Sequence, residues 1–179
     1  DAPLESIRAR AVIGCDGARS QLARATLRGA DRVPCVFAYH EVVKSPARDS
    51  DSFDRSRCDV FYQGKLSPDF YAWVFPHGDT ASIGVGSANK GFPLREAVAE
   101  LRRDTGLDSC ETIRVEGAPI PLKPLKRWDN GRDVVVAGDA AGVVAPASGE
   151  GIYYAMTSGL YAAEGVERFL ATGRASALA

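Results

Sequence analysis

The stretch 136–152 combines an acidic residue, a series of small residues and the start of a helix. Asp139 follows the apolar run 134–137, and open α/β sheets bind ligands at the carboxyl ends of such buried strands. A carboxylate at that place can hold a polyol hydroxyl. Residues 146–151 should offer free amides at a helix start, where partial positive charge collects. That charge suits a ring edge that becomes anionic on reduction, whereas the plainer alternative is a glycine-rich turn.

Asp16 and Gly17 form a second, shorter motif after the apolar run 7–13. The carboxylate can accept hydrogen bonds from sugar hydroxyls, and glycine lets the backbone approach a phosphate closely. An Asp-Gly pair after a strand is more often an ordinary turn, so this motif alone does not establish a ligand site. Ser20 is predicted to cap the helix that follows.

Three aromatic residues, Tyr71, Trp73 and Phe75, are spaced by two and are followed by Pro76. On a strand, residues with this spacing share one face. Their rings would form an apolar wall suited to a long hydrocarbon, or they would pack the sheet against a helix. His77, next in the chain, falls in a turn where a histidine is more often solvated. No catalytic acid or base is therefore assigned.

The pattern of apolar residues predicts α/β segments at both ends of the chain and an antiparallel sheet between them. The runs near the ends are short and wholly apolar, whereas the central ones alternate and are separated by short turns. The predicted strands are 7–13, 33–43, 59–63, 70–75, 80–87, 113–121 and 134–137, the predicted helices are 20–27, 93–103 and 149–170, and 48–57 is predicted to be a loop.

Composition restricts the class of protein. A net charge of -1 over 179 residues argues against a nucleic-acid partner, and no apolar run is long enough to span a membrane. A peripheral membrane contact stays open. The four cysteines have no CxxC spacing, so we expect no metal site and reduced thiols in a cytoplasmic protein, with Cys15 and Cys58 in the core. The chain also lacks a GxGxxG motif, which predicts that an opening βαβ unit lies upstream of residue 1.

The two motifs VIGCDGARS and VVVAGDAAGVVAPASGEGIYYAM resemble the second and third flavin fingerprints of the p-hydroxybenzoate-hydroxylase-like flavoproteins. Within that superfamily the chain resembles the geranylgeranyl reductases, whose PxxYxWxFP pattern is met by Pro68, Tyr71, Trp73, Phe75 and Pro76. The resemblance implies a Rossmann-like FAD-binding domain (residues 1–32 and 121–179) with an inserted antiparallel-sheet substrate domain (33–120).

The same resemblance implies roles for individual residues. Asp139 would bind the flavin ribitol, Asp16 would lie near the dinucleotide phosphates, and Gly149 and Gly151 would lie against the isoalloxazine. The complete predicted cofactor set is Asp16, Gly17, Gly138, Asp139, Pro146, Gly149, Gly151 and Ile152, and the predicted substrate set is Tyr71, Trp73, Phe75 and Pro76.

The reaction implied by the resemblance is NADPH-driven reduction of the isolated C=C bonds of a geranylgeranyl group, carried on a diphosphate or on a tetrapyrrole of (bacterio)chlorophyll synthesis. A location at the surface of a photosynthetic membrane would follow. Lys126 and Arg127 would contact the anionic end of such a substrate, or form a solvated edge. A monooxygenase or epoxidase, and a non-redox isoprenoid cyclase or lipid-binding module, remain alternatives on the same fold.

Overall fold

The computed structural model describes residues 6–179. The chain divides into two compact units, Asp1–Pro34 with Pro121–Ala179, and Cys35–Ile120. Residues 1–5, which the sequence assigns to the predicted cofactor domain, lie outside the described residues. In chain order the strands are β1 (Val12–Gly14), β2 (Cys35–Lys44), β3 (Asp59–Phe61), β4 (Ala72–His77), β5 (Thr80–Ser87), β6 (Thr112–Pro121) and β7 (Val134–Val136), and the α-helices are α1 (Gln21–Thr26), α2 (Leu94–Asp104) and α3 (Ile152–Thr172).

The central unit contains a five-stranded sheet in the order β3-β4-β5-β2-β6. Strands β3, β4, β5 and β2 pair antiparallel, as the alternating pattern predicts. Strand β2 pairs with β5 over eight residues, from Phe37↔Ser87 to Lys44↔Thr80. The loop between β2 and β3 carries the polar segment 48–57, also as predicted.

Helix α2 covers one face of this sheet. Its apolar residues Val98 and Leu101 are fully buried and belong to the same core cluster as Ala72 and Val74 of β4. The amphipathic pattern of the helix explains this arrangement, because apolar residues three and four apart lie on one side. The cluster consists of Val43, Phe53, Leu66, Ala72, Val74, Ala81, Ile83, Val85, Ala97, Val98, Leu101 and Leu107.

The other unit has a small parallel sheet of β1 and β7, which pair over three residues from Val12↔Val134 to Gly14↔Val136. Strand β7 is fully buried, as its unbroken apolar run predicts. A 3₁₀ helix, Gly138–Ala141, follows it and leads towards the long helix α3. None of the helices in residues 6–179 has both the length and the hydropathy of a membrane span.

Three local predictions need correction. Strand β1 begins at Val12 instead of residue 7, because its partner β7 supplies only three residues to the ladder. Helix α3 begins at Ile152, since Gly149 adopts a left-handed φ of 67° that a helix cannot include. Cys15 and Cys58 are exposed because each lies in a loop next to a short strand and not in a core layer.

Candidate functional site

Asp139 is held by a short 3₁₀ helix at the carboxyl end of β7. The helix is tied to α3 because the amide of Gly138 donates to the Ser158 hydroxyl at 2.9 Å. That hydroxyl in turn donates to the Tyr154 carbonyl oxygen, one turn back on α3. The Asp139 carboxylate lies against Gly151, whose missing side chain would place a Cβ atom 3.4 Å from Oδ1. Gly138, Asp139 and Gly151 of the predicted cofactor set therefore share one site.

The Asp139 carboxylate is half-buried, and no donor among residues 6–179 forms a hydrogen bond with it. Burial accordingly raises the pKa of this carboxyl above its ordinary value. A charged carboxylate that is partly removed from water and has no hydrogen-bond donor destabilises the folded protein unless a ligand supplies the donors. Polyol hydroxyls are ligand groups that would do so.

The segment before α3 is only partly as predicted. Its amides are not all free, because Gly149 donates to the Ala145 carbonyl oxygen at 2.8 Å and Glu150 donates to the Ser148 hydroxyl at 3.4 Å. Glu150 then accepts from the amide of Tyr153 at 2.9 Å, which caps the first turn of α3. Pro146 and Ile152 are exposed on either side of this capped turn.

Asp16 occupies a different electrostatic setting. Its carboxylate accepts a hydrogen bond from the Ser20 hydroxyl at 2.5 Å and another from the amide of Gln21 at 2.9 Å. Ser20 itself accepts from the amide of Ala23 at 2.8 Å and is the N-cap of α1, as predicted. The Ser20 hydroxyl above all, together with these backbone amides, holds the pKa of Asp16 below its ordinary value, against the opposing effect of desolvation. Asp16 therefore stabilises the start of a helix whether or not a ligand is present.

The aromatic residues lie on the sheet face opposite α2. Ala72 and Val74 point into the core cluster, so the alternation of β4 places Trp73 and Phe75 on the other side. The Trp73 ring packs edge-on against Tyr71, with centroids 5.9 Å apart, and stacks on Phe75 at 6.1 Å. Pro76, one residue beyond Phe75, instead falls on the core face of β4 with Ala72 and Val74, opposite Ala81 of β5. Tyr71, Trp73 and Phe75 of the predicted substrate set therefore form a continuous strip on the face away from the helix, and Pro76 lies outside this strip.

Hydrogen-bonded polar side chains lie beside this strip, and they were not predicted from the sequence. The Ser82 hydroxyl lies 3.2 Å from Trp73 Nε1 and 3.0 Å from His40 Nδ1, and His40 Nε2 lies 2.9 Å from a Glu116 oxygen. These residues come from β4, β5, β2 and β6, so no sequence spacing links them. The signal available in the sequence was a histidine within a run of alternating apolar residues that also carries Glu41.

Of the residues considered for anionic contacts, Arg127 forms an ion pair with the buried carboxylate of Asp129 at 3.0 Å. His77 and Lys126 are exposed. These positions are therefore explained by local structure, without a ligand.

No family model matches the chain. In structure it is similar to a flavin-dependent brominase (TM-score 0.67, 19% identity, covering 96% of this chain and 46% of that one), which shows a shared fold. It is also similar to a geranylgeranyl bacteriochlorophyll reductase-like protein of Thermoplasma acidophilum, with a TM-score of 0.80 and 26% identity over 94% of this chain and 43% of the other. The chain thus has the mixed α/β fold of flavoenzymes.

Comparison of sequences identifies more specific relatives among the flavoenzymes. The chain is 57% identical to geranylgeranyl diphosphate reductase of Rhodobacter capsulatus over 165 residues, which are 92% of this chain and 41% of that protein. It is 37% identical to the chloroplastic geranylgeranyl diphosphate reductase of rice (Oryza sativa), covering 91% of this chain and 35% of that protein. The chain is therefore a homologue of the geranylgeranyl reductases and spans less than half the length of these two relatives.

Because folding shifts the pKa values of Asp16 and Asp139 in opposite directions, we expect Asp→Asn substitution to change stability in opposite directions at the two positions. The pKa of Asp16 is lowered on folding, so its contribution is present above the ordinary value of 3.8 and is lost as the pH falls through the folded-state value. The pKa of Asp139 is raised, so its cost is absent below 3.8 and complete above its folded-state value. In flavin-free protein at pH 7, Asp16→Asn should lower the melting temperature and Asp139→Asn should raise it.

Thermal melts from pH 7 down to pH 3 would test this, with the exposed turn residue Asp79→Asn as the control. Both differences should shrink on acidification, that of Asp139 first. A lower melting temperature for Asp139→Asn at pH 7 would show that its carboxylate is already compensated within the protein.

Proposed function

We propose that this chain is part of a flavin-dependent reductase that hydrogenates the C=C bonds of a geranylgeranyl group. The 57% identity to a geranylgeranyl diphosphate reductase over 92% of the chain is the observation that carries the proposal. Several features of the two units agree with it. In one unit, the half-buried Asp139 carboxylate has no hydrogen-bond donor among residues 6–179, and in the other an aromatic strip lies on the sheet face away from the helix.

The residues around Asp139 fit the polyol chain of FAD. Asp139 would accept a ribitol hydroxyl, which relieves the cost that burial places on its charge. Gly151 keeps a side chain away from this carboxylate, and Gly138 leaves room for Ala155 of α3. Pro146, Gly149 and Ile152 would line the approach of the isoalloxazine. When bound, the flavin supplies hydride equivalents, which NADPH replenishes.

Asp16 and Gly17 would contribute to the same cofactor site in another way. Because the Asp16 carboxylate already accepts from Ser20 and Gln21, we assign it the task of fixing the turn and the start of α1. Gly17 has a φ of 80°, and a Cβ atom added to it would meet no atom within 4 Å, so the turn leaves room for a phosphate beside the backbone. The turn would thus meet the dinucleotide phosphates through its backbone.

The aromatic strip would hold the hydrocarbon. Tyr71, Trp73 and Phe75 offer an apolar surface without charge, which suits a prenyl chain. An isolated alkene is a weak hydride acceptor, so rate depends on alignment and on the exclusion of water. Rigid rings would contribute to the alignment by offering a surface of fixed shape. The substrate would be geranylgeranyl diphosphate or a geranylgeranyl tetrapyrrole, bound by an enzyme that works at the surface of a photosynthetic membrane.

Product analysis tests the reaction itself. The enzyme supplied with NADPH and either geranylgeranyl diphosphate or geranylgeranyl chlorophyllide should yield products heavier by two hydrogens for each C=C bond reduced. Mass spectrometry would identify them, and the faster of the two conversions would identify the carrier of the prenyl group. NADPH oxidation with oxygen uptake and an oxygenated product would instead indicate a monooxygenase.

Removal of the Asp139 carboxylate should weaken flavin binding. A hydrogen bond to a charged group contributes about 1.5–3 kcal/mol, so Asp139→Ala should raise the Kd for FAD by roughly tenfold to a hundredfold. Flavin absorbance of the purified variant, followed by titration with FAD, measures the effect. Asp79→Ala serves as the matched control, and unchanged flavin content in Asp139→Ala would remove this residue from the cofactor site.

Truncation of Trp73 should separate the two half-reactions. Trp73→Ala removes part of the proposed wall, so alkene reduction should slow far more than reduction of the flavin by NADPH, which does not use the prenyl site. Stopped-flow measurement of both half-reactions gives the comparison.

The control variant is Ile83→Ala on the core face, where burial is complete. This change should cost about 2–5 kcal/mol of stability and depress both half-reactions together through loss of folded protein. If Trp73→Ala behaves in the same way, its ring belongs to the packing of the sheet and not to a substrate site.

A further inference from the structure

The indole of Trp73 lies flat across the neighbouring strand. Trp73 of β4 and His40 of β2 are both paired with Gly84 of β5, so the three residues stand side by side. A Cβ atom at Gly84 would lie 2.1 Å from the indole Cζ2 and 2.4 Å from Cε2. Only glycine leaves this space, and the ring fills it with 9% of its surface exposed.

A hydrogen-bonded chain continues from the ring towards β6. Trp73 Nε1 can only donate, so the Ser82 oxygen at 3.2 Å accepts from it. In the tautomer that carries the His40 proton on Nε2, the Ser82 hydroxyl donates to His40 Nδ1 at 3.0 Å and His40 donates to Glu116, 2.9 Å away. Each donor of the chain then meets one acceptor.

The last residue of the chain is itself held in place. Glu116 Oε1 accepts from Arg114 Nε at 2.8 Å on the same strand, while Oε2 faces His40. A carboxylate fixed in this way orients the imidazole and selects its tautomer. The orientation of His40 then determines where the Ser82 hydroxyl points, and hence where the indole N–H is received.

An open depression of about 570 Å³ lies over these groups, within the central unit. Trp73, His40 and Glu116 line it together with small and apolar residues of β2 and β6. The indole forms part of its wall. Any ligand in this depression would therefore contact a ring whose tilt is set by polar groups beside it.

We propose that Ser82 and His40, oriented by Glu116, are positioning residues that lock the Trp73 indole in the plane needed to hold a prenyl chain. The inference rests on the proposed function for the identity of the ligand, but not for the locking of the ring. Packing over Gly84 confines the indole, and an N–H donor with a fixed acceptor adds a directional constraint on its tilt. The network thus gives this apolar surface a defined shape.

The first test observes the ring directly. In the full-length protein labelled with ¹⁵N-tryptophan, the Trp73 indole N–H signal is assigned by its loss in Trp73→Phe. Ser82→Ala should shift this signal and accelerate its exchange with deuterium, and His40→Gln should shift it as well. His40→Asn places an acceptor near the Nδ1 position and should restore much of the wild-type signal.

An internal control is present in the same spectrum. Trp128 Nε1 donates to the backbone oxygen of Leu125 at 3.0 Å, an acceptor that none of these substitutions alters. Its signal should stay unchanged in every variant. An unmoved Trp73 signal in Ser82→Ala would overturn the proposal, as would equal movement of the Trp73 and Trp128 signals.

The second test measures the consequence for the substrate. Ser82→Ala and His40→Gln should raise KM for geranylgeranyl diphosphate by about tenfold, the effect expected from losing one part-buried hydrogen bond, with flavin reduction by NADPH within about twofold of wild type. The KM of His40→Asn should lie between those of the other two variants and that of the wild type. Equal slowing of both half-reactions with a lower melting temperature, or an unchanged KM, would overturn the positioning role. If wild-type enzyme reduces no prenyl substrate, the proposed function fails, and the indole signal still decides whether the network holds the ring.

Discussion

The alternation of side chains along β4 is the constraint on which the central unit depends. Ala72 and Val74 face α2 and complete the core, so Trp73 and Phe75 must face the other way. Small residues on the core side let the helix approach closely, and the rings on the opposite side are left for other contacts. One strand therefore serves stability and recognition with separate sets of residues, and a shift of register by one residue would exchange the two sets.

The other unit shows how similar motifs acquire different electrostatic roles. Asp16 and Asp139 both follow the carboxyl end of a strand in the same parallel pair. The first is surrounded by donors from its own helix, whereas the second lacks donors among the described residues and is partly dry. An uncompensated carboxylate lowers the stability of the folded chain, and a ligand that donates hydrogen bonds to it can restore that stability.

Much of this arrangement was predictable from sequence, because it depends on local patterns. The alternation at residues 80–87, the amphipathic face of α2 and the cap at Ser20 each follow from residues close together in the chain. The length of β1 was not predictable, since it is limited by a partner more than a hundred residues away. The same reason hid the link between His40, Ser82 and Glu116, which exists only once β2, β5 and β6 are neighbours. The hydrogen bonds that stabilise the Asp16 carboxylate were likewise evident only from the structure.

The short ladder between β1 and β7 has a further consequence for the dynamics of the chain. Three residue pairs join these strands, whereas eight join β2 to β5. Opening a short ladder breaks few bonds, so its amides should exchange with solvent through local fluctuations and not through global unfolding. Strand β7 is buried, whereas two of the three residues of β1 are exposed, so this opening should begin at β1 and at the Asp16 turn that follows it. A ligand bound at that turn would reduce the opening.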